Sequence, residues 1–529
     1  MFSCGNGNEL WVMLVEKAYA KLHGNYWQLR AGFVAHGMMD LSGCPTRRYN
    51  FPDERADYSA ISDFAERFWD ILTEGDRAGW IMCAGTPGVD VYTEGGGPDD
   101  EFGIVPGHAY SVIAANEYKN VRLLNVRNPW GQFEWGGKWS DQDRESWTPD
   151  FIQAFKPDFD EQDGSFWIEY DDFFKYFESL TVCKIENWRE LRIKGKFIKA
   201  EEMSSGNETV ISQFFYSLQL DTPAHIELGI HQEDERILGA ERRPYIDLSL
   251  IILEREYDGT LSLVDVVEMR TVREAQKGID FDAGHFIIVP RTTGAALQRT
   301  SNQYQPLPIK IKRGNKMRIN PEVYSAIMDV FRKIDLKLDS VLSARELNYF
   351  GDVTNEPYFQ NLTPESFETR EFDRISCTYE GVTRFGFFQL LETYSDRRIR
   401  EMLNSLGYDE TLNSTKSRVF VISFHSSEDI RVRIGDATKT DLNQKAIGIM
   451  MNDYLKGGVA NNAREDKNVI VFRKYHEGAY ASTYAAVNKT ERNMIVNLDM
   501  TASQSLIYMP QSGRVSVLVP AKSLKYLAS

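Results

Sequence analysis

Apolar residues recur at Trp11, Leu14, Val15, Ala18 and Leu22, one face of a 3.6-residue period, which predicts a helix capped at Asn8 and stopped at Gly24. After Gly107 the period shortens. Two apolar runs, AYSVIAA and VRLLNV, flank a polar turn from Glu117 to Asn120 and predict a hairpin with a buried face. From 191 to 313 short runs such as HIELGI (from His225), YIDLSLIIL (from Tyr245) and HFIIVP (from His285), with a turn signal at Asp258-Gly259, predict a β-sandwich. From 314 to 412 the spacing turns helical, at Tyr324, Ile327 and Phe331 and later at Leu390, Leu391, Tyr394, Ile399, Met402 and Leu403. Strand-like runs return after Arg418 (RVFVISF, NVIVF, RVSVLVP) and predict a second β-sandwich.

All ten tryptophans precede residue 190, which places a boundary there and gives four expected parts: 1–190, 191–313, 314–412 and 413–529. A chain of 529 residues has room for several domains at roughly 150 residues each. With 42% hydrophobic and 26% charged residues, wholesale disorder is excluded. The net charge of -16 argues against a nucleic-acid partner, because a phosphate backbone attracts a surplus of Lys and Arg. The five cysteines (Cys4, Cys44, Cys83, Cys183, Cys377) are too few and too scattered for a disulfide framework, so a reducing, cytoplasmic setting is expected. No apolar run is long enough to span a bilayer and the N-terminus lacks a signal-peptide pattern, so an integral membrane segment is not expected. Nothing in the sequence sets an oligomeric state.

Among the eight histidines, His108 stands out. It lies in GIVPGHAYSV, after the acid- and glycine-rich stretch TEGGGPDDE and at the entry to an apolar strand, where a loop can admit substrate to a rigidly held base. A histidine at a strand start is more often structural. Twenty residues on, however, RNPWG places Asn128 at the end of the second apolar run. In a cysteine peptidase an imidazole takes the thiol proton while a neutral amide oxygen holds the ring through its other nitrogen. Trp130 is placed to shield such a bond from water, although an aromatic after proline is usually core.

GHAYSV together with RNPWG resembles the His and Asn half of the catalytic domain of calpains, the calcium-dependent cysteine endopeptidases. NELWVMLVEKAYAKLHGNY is similar to the helix that follows their nucleophile lobe, and FEWGGKWSD and DGSFWIEYDDFFKYF resemble the rest of the second lobe, so the likeness runs from residue 8 to about 186. FDAGHFIIVP resembles, more weakly, the end of the calpain β-sandwich. Together with the patterns above, the resemblance implies an α+β multidomain chain with a papain-like, β-rich second catalytic lobe, two β-sandwich domains and an EF-hand-like helical insert. It assigns His108 as base and acid and Asn128 as orienter. It also assigns calcium ligands at Glu134, Asp141 and Asp163, with Ser165 standing where the family usually has a glutamate; the alternative is a solvated acidic loop.

The departures from the family are specific. No motif like QGxxGDCW is present, so the nucleophile lobe is expected to be missing. Cys4 precedes a helix, but the family pattern puts it past the nucleophile. DLKLDSVLSARE from Asp335 has acids at positions 1, 5 and 12 of an EF-hand loop but Lys337 at position 3 and Ser340 at position 6, so weak calcium binding or none is expected. Two functions follow from these readings. One is a calpain-like chain for limited proteolysis of protein substrates; the other is a non-catalytic relative that binds calcium or protein partners.

Overall fold

The computed structural model describes residues 9–52, 58–88, 102–159, 163–201, 208–237, 244–294, 307–337, 339–368, 372, 375–410, 412, 417–459, 461–465, 468–500, 514–519 and 521–528. It is mixed α and β, rich in strands, and divides into two compact units, 31–188 and a larger one of 1–30 with 189–529. Helix α1 (Trp11–His23) forms as the period predicts and ends at Gly24, whose φ of 111° favours glycine. The expected cap, Asn8, lies outside the described residues. The apolar stripe is not covered: Trp11 and Leu14 are 63% and 62% exposed, while Ala20 and His23 are buried. Instead the helix is held by polar contacts to the larger unit. Tyr19 Oη accepts from Arg236 Nη2 at 3.2 Å, and His23 Nε2 lies 3.5 Å from the buried Asp234 carboxylate. Through these contacts residues 1–30 group with 189–529.

The 31–188 unit is built on a six-stranded antiparallel sheet. After α2 (Val34–Ser42) come β1 (Thr46–Asn50), α3 (Tyr58–Ala78), β2 (Ile81–Gly85), β3 (Ala109–Tyr118), β4 (Val121–Arg127), α4 (Pro149–Phe155), β5 (Ser165–Glu169), α5 (Tyr170–Tyr176) and β6 (Ser179–Cys183), with strand order β1-β6-β2-β3-β4-β5. Lys119 and Asn120, both at positive φ (48° and 63°), make the two-residue turn between β3 and β4; this backbone matches the twist of paired strands. Phe68, Leu72, Tyr110, Val126, Phe166 and Phe173 fill the main core. Trp139, Trp147, Phe155 and Trp167 form a second, smaller core with Leu123, which pins the long loop between β4 and α4.

In the larger unit β7 (Arg189–Glu201), β8 (Glu208–Ser212), β9 (Phe214–Leu220), β10 (Ala224–His231), β11 (Leu248–Arg255), β12 (Leu261–Arg270), β13 (Glu274–Phe281) and β14 (Gly284–Arg291) form most of two five-stranded antiparallel sheets that share one core. The helical stretch follows. A hairpin of β15 (Lys310–Arg313) and β16 (Lys316–Ile319) leads into α6 (Tyr324–Ile334), β17 (Val341–Leu342), α7 (Ala344–Thr354), β18 (Cys377–Thr378), β19 (Gly381–Thr383), α8 (Arg384–Thr393) and α9 (Asp396–Ser405). Then β20 (Ser417–Ser426) and β21 (Arg431–Asp436) return to the first two sheets, in orders β13-β10-β20-β7-β8 and β12-β11-β14-β9-β21.

This corrects the expected boundary at 413. Phe420, Ile422 and Phe424 of β20 face the shared core, and the strand pairs with β10 on one side and β7 on the other, so the helical stretch is an insertion within one body. A change of period marks where helices stop, but not which sheet a later strand joins. What remains is α10 (Leu442–Lys456), a four-stranded sheet of β22 (Asn461–Glu465), β23 (Val469–His476), β24 (Ala481–Asn488) and β27 (Leu524–Ala528), and a hairpin of β25 (Met494–Asp499) and β26 (Arg514–Val519) that shares a core with it.

Candidate active site

His108 is the last residue before β3, and its backbone is fixed from β2. The His108 N–H donates to Thr86 Oγ1 at 2.8 Å, and the Thr86 N–H donates to the His108 carbonyl at 3.0 Å. Asn128, fully buried, directly follows β4, and its Oδ1 lies 2.9 Å from His108 Nε2. The direction of that bond follows from the rest of the amide. Asn128 Nδ2 donates to the carbonyl of Gln132 at 2.7 Å, and Oδ1 also accepts from the Trp130 N–H at 3.1 Å. The oxygen therefore faces His108, Nε2 carries the donated proton, and Nδ1 carries the basic lone pair. Trp130 lies over the imidazole at 4.2 Å between ring centroids, and Tyr110 meets it edge-on at 5.1 Å. Both rings limit water at the His108–Asn128 bond, which strengthens it.

The loop after Asn128 turns sharply, with Gly131 and Phe133 at φ of 67° and 63°. It delivers Glu134, whose Oε1 accepts from the Gly164 N–H at 2.9 Å, while the Gly164 carbonyl accepts from the Asn128 N–H at 2.8 Å. The two peptide groups that flank the Gly164 Cα thus touch Glu134 and Asn128. Asp163 Oδ1 accepts from the Ser165 N–H at 2.8 Å. Asp141 is half-buried, and burial followed by the charges of Glu134, Asp158 and Asp163 pushes its carboxyl up to about 6. The three acids expected from sequence share one electrostatic neighbourhood, and Asp158 joins them. A hard divalent cation takes oxygen donors of this kind, but among the described residues these acids do not bring three ligand atoms together.

The other candidates fare differently. Burial pushes the Cys83 thiol up to about 11, the reverse of what a nucleophile needs. Cys4 and the stretch from Thr93 to Glu101 lie outside the described residues. In the 335–346 loop both Glu346 oxygens are already engaged by Leu336, Lys337 and Ser343. Thr86, Asp158 and Gly164 escaped the sequence reading. Asp158 is one acid in a polar run, whereas Thr86 and Gly164 act through backbone contacts that leave no spacing pattern.

The family described as calpain family cysteine protease matches residues 1–184. The chain is 38% identical over 187 residues to calpain-type cysteine protease DEK1 from Arabidopsis thaliana, covering 35% of this chain and 8% of that protein. It is 31% identical over 187 residues to calpain-9 from Rattus norvegicus, covering 34% of this chain and 25% of that one. To calpain-13 from Rattus norvegicus it is 23% identical over 336 residues, covering 58% and 48%. The chain thus spans under a tenth to about half the length of these relatives.

Proposed function

We propose that residues 1–184, which match the calpain family cysteine protease model, are a protease domain of that kind and that this chain supplies the His and Asn half of a cysteine endopeptidase site for limited proteolysis of proteins. His108 is the base that takes a thiol proton at Nδ1 and later returns it to the leaving amine. Asn128 is the orienter, and Trp130 keeps water from their bond. The observation that carries this reading is the fixed direction of the Asn128 amide, since it leaves Nδ1 as the basic nitrogen. The thiol comes from a nucleophile lobe, on a longer form of the chain or in trans.

A calcium ion held by Glu134, Asp141, Asp158 and Asp163 would have to draw their oxygens together, and would then neutralise their mutual repulsion. In this reading the six-stranded unit is a papain-like second lobe, the two facing sheets are a β-sandwich, and the insert is an EF-hand-like region. The rival, a non-catalytic relative, gains support from Cys83, because burial makes it a poor nucleophile.

Adding a nucleophile-bearing lobe from a calpain relative, fused or in trans, tests the proposal against a casein-type substrate. The expected result is turnover that His108→Ala abolishes, with none from the isolated chain. Turnover that survives His108→Ala, or activity of the isolated chain that disappears in Cys4→Ser, overturns it.

A further inference from the structure

The hairpin of β15 and β16 carries a charge opposite to that of the chain. Lys310, Lys312, Arg313, Lys316 and Arg318 stand in a stretch with no acid, in a protein whose net charge is -16. The root of the hairpin is fixed. Ile309 is fully buried in the core of the helical insert, Lys310 Nζ donates to the carbonyl oxygens of Glu392 and Tyr394, and Arg318 pairs with the Glu392 carboxylate. Arg400 Nη2 donates to the Leu307 carbonyl at 2.7 Å and Asn320 Nδ2 to that of Pro308 at 3.0 Å.

The tip is free of such ties. Gly314, at φ of 61°, and Asn315 turn the chain in two residues, and the space around Gly314 is open. Lys312, Arg313, Lys316 and Met317 are all exposed, Met317 by 55%. Among the described residues no acid pairs with Lys312, Arg313 or Lys316. The ladder sets their directions. Lys312 lies opposite Met317 and Arg313 opposite Lys316, and successive side chains along a strand point to opposite faces, so cations stand on both faces of the tip. A peptide laid along the hairpin would meet one face and leave the cations of the other in water. A flat anionic surface met end-on is within reach of all three, and of Met317 beside them.

We propose that the tip of the β15–β16 hairpin is a peripheral contact for anionic lipid bilayers, in which Lys312, Arg313 and Lys316 meet the headgroup phosphates and carboxylates and Met317 enters the boundary with the acyl chains. Each basic side chain at an anionic surface raises partitioning about fivefold, so three raise it about 100-fold. The acidic body opposes this. Four-residue strands, however, reach about 13 Å, beyond the Debye length of about 8 Å at physiological salt, so most of that repulsion is screened when the tip leads. The contact needs no calcium, because its positive charge is built into the chain. The proposal does not depend on the peptidase reading.

Co-sedimentation of the full chain with lipid vesicles in chelator tests it. Vesicles of phosphatidylcholine with about 30% phosphatidylserine should bind the chain at about 0.1 M salt and release it at about 0.5 M, and vesicles of phosphatidylcholine alone should leave it in solution. The triple variant Lys312→Gln, Arg313→Gln, Lys316→Gln should bind about 100-fold more weakly, while the double variant Lys312→Arg, Lys316→Arg, which keeps the charge, should stay near wild type. Met317→Ser should weaken binding about threefold or more and leave its salt dependence unchanged. All four positions are exposed, so circular dichroism should show each variant folded as the wild type is. Equal binding to both kinds of vesicle, or a triple variant that binds like the wild type, overturns the proposal. Retention on immobilised poly-glutamate with no binding to either vesicle also overturns it, in favour of an acidic polypeptide.

Discussion

At Asn128 one amide group meets four others: the His108 ring, the Gln132 and Phe133 carbonyls and the Trp130 N–H. Removing it does two separate things. With a nucleophile lobe supplied, Asn128→Ala should lower turnover by about 10²-fold or more, because the ring loses its orientation while the base remains. The same variant should lose about 2 kcal/mol in urea unfolding, since it leaves buried backbone groups unsatisfied. Asp141 makes a prediction of the opposite sign. Its folded carboxyl holds a proton up to about 6, against 3.8 ordinarily, so the folded chain binds more protons and loses stability as pH rises from about 4 to 6. Asp141→Asn should therefore be more stable than the wild type in chelator at about pH 7.5, by about 1 kcal/mol after allowance for solvent screening, and not at about pH 4. Urea midpoints at both pH values check this, and a wild type that is more stable in chelator at the higher pH would refute it. His108 and Asn128 were legible because two short motifs carry them; the direction of their bond was not, since Gln132 and Trp130 set it through backbone atoms.

Among the elements, the segment at Gly164 has no room for a side chain. Its φ is +87°, and a Cβ there would lie 2.6 Å from the Asn128 carbonyl oxygen. Gly164→Ala should cost about 1–3 kcal/mol and also displace the Asn128 loop, which would appear as a changed His108 ring signal in NMR. An unchanged ring signal would mean that the loop holds Asn128 without this glycine. The β3–β4 hairpin was readable from sequence because a two-residue turn is local. Helix α1 was readable as a helix but not in what it buries, because periodicity locates an apolar face without naming its partner.

For the whole molecule, the strand pairing predicts which pieces can stand alone. A fragment of residues 189–436, which keeps the insert and β20, should unfold cooperatively, whereas 191–313 should be unfolded or aggregated because the centre of one sheet is missing. Circular dichroism with urea melts distinguishes them; a cooperative 191–313 fragment would restore the boundary at 313. The boundary at 413 was the least legible feature, because apolar alternation in RVFVISF marks a strand and says nothing of distant neighbours. The same pairing sets a clock for biosynthesis. Glu190 and His425, partners across β7 and β20, are 235 residues apart, so at a ribosome adding about 5–20 residues per second β7 emerges on the order of 10 to 50 s before the strand that completes its sheet. Throughout that interval β7 and β10 each present an open edge to neighbouring nascent chains, and a chaperone that shields them, or slower growth temperatures, should govern how much of the protein reaches its folded state.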